Sequence, residues 1–249
     1  MELLILGAAA FATSILSAVV GMAGGITLLA VMLLFLDPLV AIPIHGVVQL
    51  VSNGSRAWLQ RAHVDRSITW RFGLLLLPAG WLGLEIAQAI PPEGLRAAIG
   101  GFVLVATWWP AWLLLGIHPE RSTGKRRFVV LGGLAGVLNT TIGATGPLIA
   151  PFFLDLGLSR FQLVGTKAAC QLLGHVAKIA IFGLAGFAFG LYGSTLLVLC
   201  ALVVVGTAIG TRILDRVNER LFVALYKGVL TLIAIHLVAR ELWGIAWPA

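Results

Sequence analysis

Charged residues are scarce in this sequence. Only 11% of its 249 residues are Asp, Glu, Lys or Arg, whereas a soluble domain carries about a quarter. Hydrophobic residues make up 59%, and the mean hydropathy is +1.02. They form apolar blocks of roughly 20 residues, the length of a membrane-spanning helix rather than of a ten-residue strand with alternating polarity. The composition therefore excludes a soluble domain and predicts an all-α integral membrane protein in a lipid bilayer.

Cysteines and catalytic motifs are also nearly absent. The two cysteines, Cys170 and Cys200, fall in separate apolar blocks, which predicts free thiols and neither a disulfide nor a zinc pattern. No HExxH or GxSxG motif occurs. Ser52 and His45 are unconvincing as a catalytic nucleophile and its general base. The sequence therefore predicts a protein that is not an enzyme and that has no cofactor and no metal site.

The few charges are mostly basic, with a formal net charge of +7. The basic residues concentrate in short loops at residues 60–71, 118–127 and 211–220, and no basic domain exists that would bind nucleic acid. Because Lys and Arg collect in cytoplasmic loops, we place these three loops inside. Both chain termini are then predicted on the outer side of the membrane.

Two long apolar runs are broken near their middles. Residues 3–36 are interrupted at 21–25, and residues 128–154 at 139–147. Charge placement puts both ends of the second run inside. Each of its arms has about 13 residues and reaches about 20 Å, short of the roughly 30 Å hydrocarbon core. We therefore predict a re-entrant hairpin there, whereas the longer first run either re-enters or crosses fully as two short helices.

The order of features indicates an internal duplication. A shift of 122 residues places Gln49 on Gln171 and Arg56 on Lys178. We predict two inverted-topology repeats, each a broken or re-entrant helical hairpin followed by three transmembrane helices. The predicted division is a first membrane repeat, a basic cytoplasmic linker and a second membrane repeat, at residues 1–117, 118–128 and 129–249.

A polar stripe runs along one face of an apolar helix in each half. Spacings of four, four and three residues put the four members of each stripe on the same helical face, and no Asp or Glu is among them. The members are His45, Gln49, Asn53 and Arg56 in the first half and Lys167, Gln171, His175 and Lys178 in the second. Ionisable groups at this depth are costly and usually face a pathway. Snorkelling of Arg56 or Lys178 to the headgroups, and helix–helix bonding by the glutamines, are the alternatives.

The hairpin tips and the stripes together predict an anion site. Irregular backbone inside a membrane lines a cavity or is buried in protein, and helix N-termini favour an anion. A cation site would need carboxylates, whereas a cationic, amide-lined cavity suits a tetrahedral oxyanion. His45 and His175 change charge near neutral pH and are candidates for proton coupling. The predicted substrate-binding residues are the eight stripe residues together with Gly24, Gly25, Thr140, Thr141, Thr145 and Gly146.

The two breaks read GMAGGITLLAV from Gly21 and TIGATGPLIAPFF from Thr141. With the polar helix that follows each break, they resemble the TauE/SafE sulfite exporter family, also called the sulfonate uptake permease family, over nearly the whole chain. Gly146 and Pro151 keep the family's spacing, while the first copy lacks the proline and Thr145 replaces a usual glycine. The resemblance implies a multi-pass transporter of a bacterial inner membrane, with the outer side as the periplasm. It also implies that sulfite, sulfonates or related anions move with the proton gradient.

The sequence thus predicts a secondary transporter, a permease or exporter, for small sulfur-containing oxyanions bound near the midplane between the repeats. Its partners are the anion, protons as the coupling ion and the lipid bilayer; a homodimer is compatible with the sequence. One alternative is a passive channel for the same anions. A less favoured one is a transition-metal carrier that uses the scattered histidines His45, His63, His118, His175 and His236.

Overall fold

A computed structural model describes residues 1–20, 24–114, 124–154, 156, 158–213 and 219–243. Within these residues the chain is helical and contains no strand, which confirms the predicted all-α class. Residues 21–23 of the predicted first tip and 118–123 of the predicted linker lie outside the described residues. The helices are α1 Glu2–Val20, α2 Gly24–Phe35, α3 Pro38–Leu59, α4 Arg66–Gly73, α5 Leu76–Ala89, α6 Pro92–Trp108, α7 Arg127–Thr141, α8 Gly146–Ile149, α9 Pro151–Leu154, α10 Arg160–Leu184, α11 Gly193–Ile213 and α12 Glu219–Trp243.

Several helices are long and apolar enough to cross a membrane. In the described part of the chain, two segments meet this criterion as single helices, Phe161–Leu184 and Phe189–Gly210. The pair α4 and α5, bent by 42° at the break between them, meets it as one broken span. Helices α1, α2 and α7 are apolar but shorter, as expected where the two long apolar runs are interrupted.

The helices pack in four main pairs, α1 with α11, α5 with α7, α3 with α10 and α6 with α12. Helices α2 and α3 supply the deepest part of the largest apolar core, where Leu28, Leu29 and Ile42 have no exposed surface. Because α3 and α10 are the two helices that carry the polar stripes, their direct contact brings the stripes together inside the bundle.

Glycines allow close backbone contact in two of these pairs. A Cβ atom on Gly83 of α5 would lie 2.3 Å from the Val137 carbonyl oxygen and from Thr140 Oγ1 of α7. A Cβ on Gly210 of α11 would lie 2.9 Å from the Ile15 carbonyl oxygen of α1. Small residues that let helix backbones approach are the usual basis of helix association in membranes.

We expect Gly83→Ala to lower the thermal unfolding midpoint of the detergent-purified protein, because the new methyl group overlaps the α7 backbone. Overpacking of this kind costs roughly 1–3 kcal/mol. Gly101→Ala is the matched control, since nothing lies within 4 Å of a Cβ at Gly101 and alanine favours a helix by about 1 kcal/mol. Equal midpoints for the two variants would show that α5 and α7 are not in close contact.

A buried ion pair joins α6 to α12. Arg96 of α6 is 7% exposed, and its Nη1 donates to Glu241 Oε1 of α12 at 2.7 Å. Its Nη2 also reaches the Asp37 carboxylate, 3.3 Å away in the turn between α2 and α3. Arg96 therefore connects three elements at one end of the bundle.

Asp65 fixes the start of α4 and ties it to two other parts of the chain. Its Oδ1 accepts hydrogen bonds from the Ser67 and Ile68 amides, and its Oδ2 pairs with Lys125 Nζ at 2.8 Å. Its own amide donates to Thr166 Oγ1 of α10. Partial burial raises the pKa of Asp65, but the hydrogen bonds from Lys125, Ile68 and Ser67 outweigh it, so that pKa lies below its ordinary value.

Candidate functional site

The sequence starts both stripe helices with standard N-terminal signals. In α3, Asp37 stands at the N-cap and Pro38 at the first helical position, where proline is favoured. In α10, Ser159 and Gln162 form a capping box in which each side chain bonds the other residue's backbone. These signals fix where each stripe helix begins, and the packing of α3 on α10 brings the stripes to the helix interface.

The stripes meet at their histidines. The His45 and His175 rings have centroids 6.1 Å apart, with their planes at 78°. His45, Gln49 and Asn53 of α3 are buried, as is His175 of α10. The four-four-three spacing therefore predicted a real buried polar face on each helix.

A cavity of about 30 Å³ lies between α3, α10 and the two helix breaks. Space of this size holds about two water molecules, so the cavity is small and partly enclosed. Nine of the fourteen predicted site residues line it: Gly25, His45, Gln49, Asn53, Arg56, Thr145, Gly146, Gln171 and His175. The remaining described lining residues are Ser17, Ile26, Ala144 and Pro147.

The charged side chains that line this cavity are basic. Among the described residues that line it, Arg56 is permanently cationic, two are histidines and none is acidic. Arg56 Nη2 donates to Asn53 Oδ1 at 2.9 Å, and its Nε donates to the Ser52 carbonyl oxygen at 3.4 Å. Both partners are neutral groups on its own helix, so within the described chain no carboxylate neutralises the guanidinium.

Stripe side chains also hold the two helix breaks. His45 Nε2 lies 2.8 Å from the Gly25 carbonyl oxygen, and Lys178 Nζ donates to the Gly143 carbonyl oxygen at 2.8 Å. Asn139, at the end of α7, donates to the Gly174 carbonyl oxygen of α10 at 2.7 Å. Because a carbonyl only accepts, His45 carries its ring proton on Nε2 when neutral, which leaves Nδ1 as an acceptor.

Five predicted site residues do not line the cavity. Thr140 and Thr141 donate their hydroxyls to the Gly80 and Gly83 carbonyl oxygens of α5. The backbone of Gly24 approaches α1, since its Cβ would meet the Thr13 carbonyl oxygen at 2.0 Å. Lys167 and Lys178, the other two, are buried and are not among the lining residues.

Sequence reasoning missed four lining residues. Ile26, Ala144 and Pro147 adjoin tip residues that were predicted, so a wider window around each break would have included them. Ser17 could have been identified from the internal duplication, because the shift of 122 places it on Asn139. Both are polar residues in the last turns of apolar helices that precede a break. In the described part of the chain, no group of three or more His, Cys, Asp or Glu residues is arranged to hold a metal ion.

These features define a class of protein. A helical membrane protein with interrupted helices around an enclosed polar cavity has the architecture of a membrane transporter. The sulfite exporter TauE/SafE family model matches residues 6–237, and the chain belongs to this family of membrane transporters, as its motifs indicated.

One curated relative extends the comparison. A protein of Sinorhizobium sp. described as "Probable membrane transporter protein ORF9" is 24% identical over 244 residues, covering 94% of this chain and 90% of the relative. No solved structure matches the chain.

Proposed function

We propose that this protein is a secondary transporter for small sulfur-containing oxyanions, such as sulfite or an organosulfonate, with the anion bound in the cavity between α3 and α10. The observation that carries the proposal is the lining itself. One guanidinium, three side-chain amides and no described carboxylate face a single, partly enclosed space. Such a lining offers charge and several hydrogen-bond donors, which an oxyanion with three or four oxygens can use together.

The proposed roles follow from the chemistry of each lining group. Arg56 supplies the positive charge, and the amide groups of Gln49, Gln171 and Asn53 donate hydrogen bonds. Thr145 adds a hydroxyl donor beside the second break. Small residues at both breaks, Gly25 and Gly146 among them, let the anion approach the backbone N–H groups.

Proton coupling is proposed through the two imidazoles. Nδ1 of His45 and Nδ1 of His175 are buried without a hydrogen-bond partner in the described structure, so each ring has an atom that can change its protonation. A proton on either ring adds positive charge beside the anion and strengthens its binding. Linkage makes this reciprocal, so the bound anion also favours the proton.

The helix pairing supports the proposed inverted repeats. The hairpin helix α1 packs on α11 of the other half, and the hairpin helix α7 packs on α5. The two remaining pairs, α3 with α10 and α6 with α12, join equivalent helices of the two halves. Contacts in which helices of one half pack on helices of the other are expected when two copies related by a pseudo-two-fold axis enclose one site. The proposed repeats remain residues 1–117 and 129–249 in a bacterial inner membrane, with both termini in the periplasm.

The proposal is tested by uptake of labelled sulfite and taurine into liposomes that contain the purified protein. Gln49→Ala and Gln171→Ala should each weaken apparent affinity about 10- to 100-fold, because each removes a hydrogen bond to a charged ligand. Ser55→Ala is the control on the same helix, since its hydroxyl donates only to the Val51 carbonyl oxygen. Wild-type uptake unaffected by an imposed pH gradient would favour a passive channel. Unchanged affinity in both glutamine variants would contradict the site.

A further inference from the structure

Lys178 and Arg56 occupy the same position in the two stripes but have different surroundings. Arg56 lines the cavity, and its guanidinium bonds only groups of its own helix. Lys178 has no exposed surface, does not line the cavity, and donates instead to the Gly143 carbonyl oxygen. Equivalent cations in the two halves therefore perform different tasks.

Gly143 is the residue at which the second hairpin turns. It lies two residues beyond the end of α7, has φ of +87°, and precedes the cavity-lining segment at residues 144–147. The Lys178 amine reaches this carbonyl from α10, so one hydrogen bond joins the break to the central helix. Because a carbonyl oxygen takes the donor, the amine is directed at protein rather than at the cavity.

The neighbouring helix is shaped to admit the Lys178 side chain. A Cβ on Gly46 of α3 would lie 3.0 Å from Lys178 Cδ, so the absence of a side chain there leaves room for the lysine stem. Gly46 is itself buried and does not line the cavity. The lysine stem thus passes against Gly46 of α3, and its amine reaches the break.

We propose that Lys178 is a positioning residue that holds the cavity wall at residues 144–147 in place and does not itself bind the anion. The inference rests on the proposed function only in taking this cavity as the anion site. Loss of the amine releases the Gly143 carbonyl and allows the wall to move away from α10. Water and small reagents then reach residues that are now buried.

The test measures access to Ala144, which is 6% exposed. Ala144→Cys is placed in a background with both native cysteines changed to alanine, and the rate of maleimide labelling is measured on purified protein without substrate. Lys178→Met keeps the stem and removes the amine, and we expect labelling about tenfold faster, the factor for one lost hydrogen bond of a charged donor. Gly46→Ala, which displaces the stem, should give a smaller acceleration.

Val176→Ala, at an exposed position of α10, is the control and should leave the labelling rate unchanged. Unchanged labelling in the Lys178 variant would overturn the proposal, and a loss of sulfite affinity beside it would make Lys178 an anion ligand. If that variant does not fold, the Gly46 variant decides alone, and unchanged labelling there also overturns it. Labelling needs no substrate, so it remains decisive even if sulfite is not transported.

Discussion

Arg56→Met is expected to reduce sulfite affinity by at least about 100-fold, the largest functional effect of any single substitution in the cavity. Arg56 is the permanent cation among the described lining residues, and no described carboxylate competes for it. An anion brought into this enclosed space without it is a buried, unpaired charge, which costs roughly 3–5 kcal/mol. Methionine retains the length of the stem, so the packing of α3 changes little. The measurement is the concentration dependence of initial uptake rates in liposomes.

Arg61→Met is the matched control for this prediction. Arg61 lies five positions further along, outside α3, where its guanidinium stacks over the Trp58 ring at 4.7 Å and donates to the Trp58 carbonyl oxygen. It carries the same charge but does not line the cavity. Equal losses in the two variants would mean that net charge at this end of the protein, rather than a cation in the cavity, controls anion affinity.

Gly143→Ala is expected to be strongly destabilising, because both the backbone conformation and the packing at this position oppose a side chain. The φ of +87° disfavours any residue with a Cβ, at a cost of roughly 1–3 kcal/mol. The added atom would also lie 2.8 Å from Leu29 Cδ2 of α2 and 3.1 Å from Ile42 Cγ1 of α3, both fully buried. Once overpacking is included, we expect the free energy of unfolding to fall by about 3 kcal/mol or more. Denaturation of the purified protein in detergent measures this free energy.

Gly186→Ala distinguishes the cost of a positive φ from the cost of overpacking. Gly186 has nearly the same φ, +91°, but nothing lies within 4 Å of a Cβ built there. It ends α10 in a position where glycine is common after a helix. Its substitution should therefore show the backbone cost alone, about 1 kcal/mol. Equal losses at the two glycines would show that Gly143 is not packed between α2 and α3.

Sequence periodicity predicted the part of the site that depends on single helices. The spacing of His45, Gln49 and Asn53 defines one face of α3 whatever that helix packs against, and all three line the cavity. The mean hydropathy and the length of the apolar blocks predicted the all-α membrane class for a similar reason. Each block must satisfy its own backbone hydrogen bonds inside a bilayer.

The parts that sequence reasoning left unresolved depend on which helices are neighbours. Thr140 and Thr141 look like ligands beside a break, but their hydroxyls bond α5, whose position against α7 cannot be deduced from local pattern. Lys178 looks equivalent to Arg56, yet its direction depends on the gap that Gly46 provides in another helix. Hydroxyls and amines both reach several acceptors, and only the tertiary packing decides among them.

The crossed contacts of α1 with α11 and of α7 with α5 have a consequence for biosynthesis. When the first half leaves the ribosome, the helix surface that α11 will cover still faces lipid or the insertion machinery. Helix α1 therefore remains incompletely packed until α11 has been made. We expect truncation after residue 117 to leave that surface of α1 uncovered, so that α1 completes its packing only after α11 is inserted.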